Sequence, residues 1–189
     1  MSVQALYVDP ERGPYVSLLG AENCWGVERD AKLYAGPDRV VAHPPCGPWG
    51  TLKAFCTLQD PTCGPIAVEQ VRRFGGVLEH PRGSSLWGEC GMPKPGGRTF
   101  LFRPDEFTIE VDQCRWGHKA QKITWLFFSG IDPRNMPPIP PPRKPTHVVG
   151  PPPGYDPAEY AGRHLKKSER HITPPAFAQW LVDAVRTAA

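Results

Sequence analysis

No run of about 18 apolar residues occurs in the chain, so the sequence holds no candidate for a membrane-spanning helix. Its opening, MSVQALYVDPERG, lacks the basic region and long apolar stretch of a secretory leader. The expectation is a cytoplasmic protein with no membrane partner. None of the six cysteines forms a Cys-x2-Cys pair, and in a reducing compartment they are expected as thiols rather than a disulfide framework. No internal repeat is visible, which excludes a solenoid or a propeller. The charge excess is only +3, too small to establish a nucleic-acid partner by itself.

What is plentiful is proline, with 25 in 189 residues against a usual share of about 5%. The excess is concentrated between Pro133 and Pro157, where PPIPPPRKP and PPPGY occur. Proline lacks the backbone donor, so this segment cannot enter a ladder or a helix interior and reads as an extended strap. Its plain role is a solvated linker; a ligand for a proline-binding module is the sharper alternative. The length suits one core, since a domain of about 150 residues buries roughly 70% of its unfolded surface. The expected organisation is an α/β core over 1–132, the strap over 133–157, and a C-terminal helical segment over 158–189 that packs on the core.

Short apolar runs punctuated by Gly and Pro predict strands at Ala5 to Val8, Val40 to Ala42, Gly76 to Leu78, Phe107 to Val111 and Ile123 to Phe128. Several are apolar throughout, as strands covered on both faces of a parallel sheet are. Between the second and third, Pro65 to Phe74 predicts a helix, with Pro near its start and Gly75 and Gly76 at its end. A last helix follows Thr173, read as its cap, with Phe177, Trp180, Leu181 and Val185 as its apolar stripe. This alternation predicts an α/β fold with a mostly parallel, Rossmann-like sheet.

Three segments fall at or just beyond expected strand ends: VVAHPPCGPWG with Cys46, GGVLEHPRGS with Glu79, and QCRWGHKAQKITWLFF with Gln113 and Arg115. Ligands in open α/β sheets bind outside the carboxyl ends of the strands. A thiol, a carboxylate and a guanidinium there suit covalent catalysis; that the ring attacked is a pyrimidine is what the segments' resemblance to the DNA cytosine carbon-5 methyltransferases implies. Carbon 5 of the ring is unreactive until a nucleophile adds at carbon 6, and a thiolate is the suited nucleophile. Glu79 would hold the ring's N3 and amino edge, Arg115 would stabilise a ring carbonyl or a phosphate, and Pro44 and Pro45 would stiffen the loop presenting Cys46. Trp49, His80, His118 and Lys122 are candidates for substrate contact beside Pro45 and Gln113, each with a packing or solvated role as its alternative.

Taken in order, these segments resemble the DNA cytosine carbon-5 methyltransferase family over about Leu6 to Phe128. That family carries a Pro-Cys nucleophile loop, a Glu-Asn-Val strand end and a Gln-x-Arg strand. The matches are Pro45 and Cys46, then Glu79 with His80 and Pro81 in place of Asn and Val, then Gln113 and Arg115. The resemblance implies a methyltransferase-like fold, DNA or a pyrimidine nucleotide as partner, and S-adenosylmethionine as donor, with Asp9 and Glu28 as its candidate contacts. It is also compatible with a phage DNA-modification or counter-defence role. Two departures stand out: LYVDPERGPY has a single Gly13 where the family has its Gly-rich donor loop, and no length remains for a target-recognition domain.

Two other readings stay open. One is a catalytically inactive methyltransferase-like module that binds nucleic acid or a protein partner. The other is a structural zinc protein using His43 with Cys46, Cys56 with Cys63 and Cys114 with His118, although these spacings are looser than those of common zinc sites. Cys24, Cys56, Cys63, Cys90 and Cys114 are otherwise read as packing thiols. A basic stretch at Arg115, His118, Lys119 and Lys122 beside Trp116 and Trp125, and a run at Arg163, Lys166, Lys167 and Arg170, are read as a phosphate-contacting surface or as solvated faces.

Overall fold

A computed structural model describes residues 2–50, 53, 59–96, 105–149 and 163–187. Cys56, the PPPGY segment and the side chain of Lys167 lie outside the described residues. The core is a six-stranded mixed sheet, mostly parallel, in the order β2-β1-β3-β4-β6-β5. Its strands are β1 (Val3–Leu6), β2 (Cys24–Trp25), β3 (Arg39–Ala42), β4 (Gly76–Pro81), β5 (Glu106–Asp112) and β6 (Ile123–Ser129). The four from β1 to β4 run parallel, while β6 pairs antiparallel with both β4 and β5. The helices are α1 (Pro14–Leu19), α2 (Cys63–Phe74), α3 (Leu86–Glu89) and α4 (Pro175–Arg186).

Alternation along each strand divides the core into two halves, one on each face of the sheet. Val3, Ala5, Val41, Val77, Leu126 and Phe128 point to the side covered by α1 and α4, where they meet Tyr15, Phe177, Leu181 and Val185. Leu6, Val40, Ala42, Leu78 and Phe127 point to the other side, against Ala67, Val68 and Val71 of α2 and Leu86 and Trp87 of α3. Both sets are apolar, which is why these strands read as continuous hydrophobic runs. Gly76 sits at φ 141° with its Cα so close to β3 that a Cβ would lie 1.9 Å from the Val40 carbonyl oxygen. No other residue fits there without moving a central strand.

Several local features differ from the sequence expectation: the first strand runs Val3–Leu6 rather than Ala5 to Val8, because Tyr7 turns the chain out of the sheet, and the four-residue α3 was not anticipated. The strand β2, only two residues long, carries no periodicity, and α1 opens on Pro14 directly after Gly13. Neither was anticipated, although proline at a first helical position is a start signal. The N-cap of α4 is Pro174, not Thr173, and no side chain caps it; proline in the first turn needs no donor satisfied.

The described part of the strap is anchored. Trp180 Nε1 donates to the carbonyl oxygens of Pro137 at 3.2 Å and Pro138 at 3.1 Å, and Arg115 donates to that of Pro140 at 2.8 Å. Proline carbonyls are good acceptors left without intrachain partners, so a polyproline segment docks through them. Trp116, Phe177 and Trp180 pack ring on ring beneath, at centroid distances of 4.9–6.4 Å. Trp116 and Trp180 are thus buried supports for the strap, and Lys119 pairs with Glu169 at 2.7 Å, so the anticipated cation and aromatic surface is largely committed to internal contacts.

Candidate active site

From β1 the chain goes to β2 on one side and, later, to β3 on the other, so the order of connections reverses between β1 and β3. A crevice opens outside the carboxyl ends of strands at such a point. A cavity of about 840 Å³ lies there, lined by Tyr7 to Glu11, Gly26 to Glu28, Asp30 to Lys32, Pro45, Gln59, Asp60 and Cys63. Its volume is in the range of small-molecule and cofactor sites, about 300–1,000 Å³. Five carboxylates line it, from Asp9, Glu11, Glu28, Asp30 and Asp60, against the single ammonium of Lys32, which pairs with Asp60 at 2.9 Å. The pair lies partly in water, and with the Thr62 hydroxyl and amide it holds Asp60 well below the usual carboxylate range.

The cavity's shape comes from unusual backbone. Tyr7 turns the chain out of β1 at φ 61°, a left-handed conformation rare for a bulky residue, and its hydroxyl donates to Gln70 Oε1 of α2 at 3.0 Å. Burial raises the Tyr7 pKa far above its usual value, so the phenol stays protonated and remains a donor. Asp9 Oδ1 then accepts from the amides of Glu11 and Arg12 and closes the turn after β1. Gly26 brings the end of β2 against β1, since a Cβ there would lie 2.4 Å from the Val8 carbonyl oxygen. Asp9 and Glu28, the expected cofactor contacts, both line this cavity and are exposed in it.

Cys46 follows Pro45 on the loop after β3, so the loop that carries the thiol forms part of the cavity wall. The loop is fixed by backbone: the Cys46 carbonyl accepts from Trp49 and Gly50, and the Gly47 amide donates to Gln59 Oε1 at 2.8 Å. Cys46 is partly exposed and is not in a disulfide. Trp49 packs onto α2, its Nε1 so close to Gly64 that a Cβ there would lie at 2.6 Å. Cys63, read from sequence as a packing thiol, instead lines the cavity at the start of α2, and burial raises its pKa.

Glu79 stands on β4, and the β3–β4 register of Val41 with Val77 carries on to set His43 beside it. His43 Nδ1 lies 3.1 Å from Glu79 Oε2, and Gln113 Nε2 donates to Glu79 Oε1 at 2.9 Å and to Thr124 Oγ1 at 2.9 Å. His43 Nε2 in turn meets the Tyr15 hydroxyl of α1 at 2.6 Å. Burial pushes the Glu79 carboxyl upward, but the His43 hydrogen bond, the Lys122 charge and the nearby His43 and His80 rings outweigh it and bring the pKa down to about 2. Glu79 is therefore an anion at neutral pH and an acceptor only.

His80 points to the opposite face, fully buried, with Nδ1 2.7 Å from Ser84 Oγ. Burial lowers its pKa to about 4, against the opposing effects of Glu79 and the backbone of Pro45 and Pro44. Its Nε2 has no well-aligned hydrogen bond among the described residues, so the two prolyl carbonyls act as a polar backing and not as a strong bond. His80 thus lies beneath the loop that presents Cys46.

The sequence candidates separate into three groups. Glu79 and Gln113 come together directly, with Lys122 close enough to favour the Glu79 charge. Pro45, Asp9 and Glu28 share the neighbouring cavity. His118 is buried in its own turn, with Nδ1 2.6 Å from the Ala120 carbonyl oxygen, and Arg115 reaches the strap. His43, Tyr15 and Thr124 were missed as site residues; His43 was weighed only as a zinc ligand, and its place three residues before Cys46 was the available signal. Among the described residues no group of three or more His, Cys, Asp or Glu side chains is arranged to hold a metal ion. No helix in them is long and apolar enough to cross a membrane. No protein-family model matches this chain and no curated protein matches it, so the functional reading rests on these residues and their arrangement.

Proposed function

We propose that this chain is a pyrimidine-modifying transferase, similar in its chemistry to the DNA cytosine carbon-5 methyltransferases, with Cys46 as nucleophile. The observation that supports the reading is adjacency: Pro45, beside Cys46 on the loop after β3, lines an acidic cavity at the switch point of the sheet, and the neighbouring strand β4 carries the buried carboxylate of Glu79. In this reading the Cys46 thiolate forms a bond to ring carbon 6, and the carbon 5–carbon 6 π pair moves to carbon 5. Carbon 5 then takes an electrophilic group from a donor, whose leaving group departs with the pair of the broken bond; loss of the carbon 5 proton to solvent returns a pair to the carbon 5–carbon 6 bond and releases the Cys46 thiolate. Glu79, as an acceptor, suits the amino edge of the base, and Gln113 beside it fixes the carboxylate plane.

The donor cavity fits a cationic group. Its five carboxylates and one paired lysine favour positive charge, and Glu28 and Asp9, both exposed in it, would accept from a ligand's hydroxyls. S-adenosylmethionine, when bound, supplies an electrophilic methyl group. Asp9 and Glu28 would hold it, and the turn made by Tyr7 and Asp9 takes the place of the missing glycines. The second reading, a catalytically inactive module binding nucleic acid or a partner, draws its support from Arg115, whose guanidinium is engaged with Pro140. Mass spectrometry of nucleosides from DNA incubated with the protein and S-adenosylmethionine decides between them. A new pyrimidine made by the native chain and not by Cys46→Ser is expected; identical profiles from both contradict the transferase.

A further inference from the structure

The network behind Glu79 contains two groups that the proposed chemistry does not use, and they are set in a row. Tyr15, on α1, is almost wholly buried, with its hydroxyl 2.6 Å from His43 Nε2; His43 Nδ1 lies 3.1 Å from Glu79 Oε2; Gln113 holds Oε1 at 2.9 Å. The three sit on one face of the sheet because alternation puts Val41 and Val77 there, and with them His43 and Glu79 two residues on.

The donor directions in this row follow from chemistry. An ionised carboxylate only accepts, so Glu79 favours the proton on Nδ1, and the group facing Nε2 sets how completely that tautomer is populated. The Tyr15 hydroxyl is buried, and desolvation together with the Glu79 charge and Cys24 holds its pKa well above the usual phenol range. Its proton therefore stays on oxygen and needs an acceptor, and His43 Nε2 is the partner at hydrogen-bond distance. A proton on Nε2 would turn that hydroxyl into the acceptor and leave the buried phenol proton without the partner it has here. The ring is thereby confined to one tautomer by a group on its far side, as an orienting carboxylate confines a catalytic histidine.

We infer that Tyr15 and His43 are positioning residues for the proposed transferase: Tyr15 fixes the His43 tautomer, and His43 keeps a donor on Glu79 so that the carboxylate meets the base as a fixed acceptor. This rests on the transferase reading for its consequence but not for its geometry. The titratable and polar groups close to the pair are Tyr15 on α1, Cys24 on β2, Gln113 after β5, and Lys122 and Thr124 at the start of β6, with the His80 ring of β4 on the sheet's other face. None of them offers Glu79 Oε2 a replacement for the His43 donor in this arrangement.

The test joins a spectroscopic arm to a kinetic one, on the full chain. Nitrogen-15 spectra of the histidine rings, with the His43 signals identified through His43→Asn, are expected to show the proton on Nδ1 and an acceptor Nε2 at neutral pH. In Tyr15→Phe the His43 signals should move toward a mixture of tautomers while the melting temperature shows the fold retained. The rate constant for adduct formation with a 5-fluorocytosine oligonucleotide should fall about 10-fold with little change in KM. His43→Asn, which keeps a side-chain amide donor, should retain more of that rate than His43→Ala. A proton on Nε2 in the native chain, unmoved His43 signals in Tyr15→Phe, or unchanged adduct kinetics with a mixed tautomer overturns the inference. Absence of any adduct in the native chain defeats the transferase reading instead, and the ring spectra then decide the tautomer by themselves.

Discussion

Glu79 keeps its charge although its side chain is only 11% exposed, and a buried anion is costly unless donors surround it. Its folded pKa of about 2 lies below the usual 4.5, so its contribution to stability is present above about pH 4.5 and is lost as the pH falls toward 2. Glu79→Gln is expected to be less stable than the native chain at pH 7, with the gap closing across that acidic window in urea titrations; a gap that is constant with pH would contradict the ionised form. His80 acts at higher pH. Its pKa is lowered from 6.5 to about 4, so the unfolded chain takes up a proton that the folded chain refuses. Stability should decline by up to roughly 3 kcal/mol between those two values, and His80→Asn should flatten that slope. A slope of equal size in both proteins would show that His80 is not its source.

Among the elements, the central strands were the most legible, because β3, β4 and β6 are buried on both faces and their central residues, Val40 to Ala42, Gly76 to Leu78 and Leu126 to Phe128, are apolar without interruption. The pieces missed were those too short for a period: β2 with two residues and α1 with six. That omission also hid Tyr15, since a tyrosine in an unrecognised helix has no assigned face. Thr173 was misplaced because the N-cap falls one residue later, on Pro174, and Arg115 because local chemistry named an electrostatic partner while tertiary docking of the strap engages its guanidinium. Two substitutions test these element-level contacts. Gly76→Ala should destabilise by about 3 kcal/mol in urea, from the clash with Val40 and the positive φ. Trp180→Phe keeps the ring but removes the donor to Pro137 and Pro138, so tryptic cleavage after exposed Arg143 should accelerate; an unchanged cleavage rate would mean that the aromatic stack holds the strap by itself.

At the level of the whole molecule, the sheet order decides where chemistry can occur, and the reversal between β1 and β3 gathers residues from Tyr7 to Cys63 around one cavity. The ordered motifs located Cys46, Glu79 and Gln113 at strand ends but could not reveal the cavity's acidity, because its carboxylates come from three separate loops whose proximity depends on β2. Calorimetry with S-adenosylmethionine should show binding, and Glu28→Ala should weaken it about 10-fold if that carboxylate contacts the donor. The most direct measurement is peptide mapping by mass spectrometry after incubation with S-adenosylmethionine and DNA containing 5-fluorocytosine, whose fluorine blocks the last elimination. The account predicts a stable nucleotide adduct on the peptide carrying Cys46, absent in Cys46→Ser. An unmodified Cys46 peptide, or an adduct on another cysteine, would contradict it.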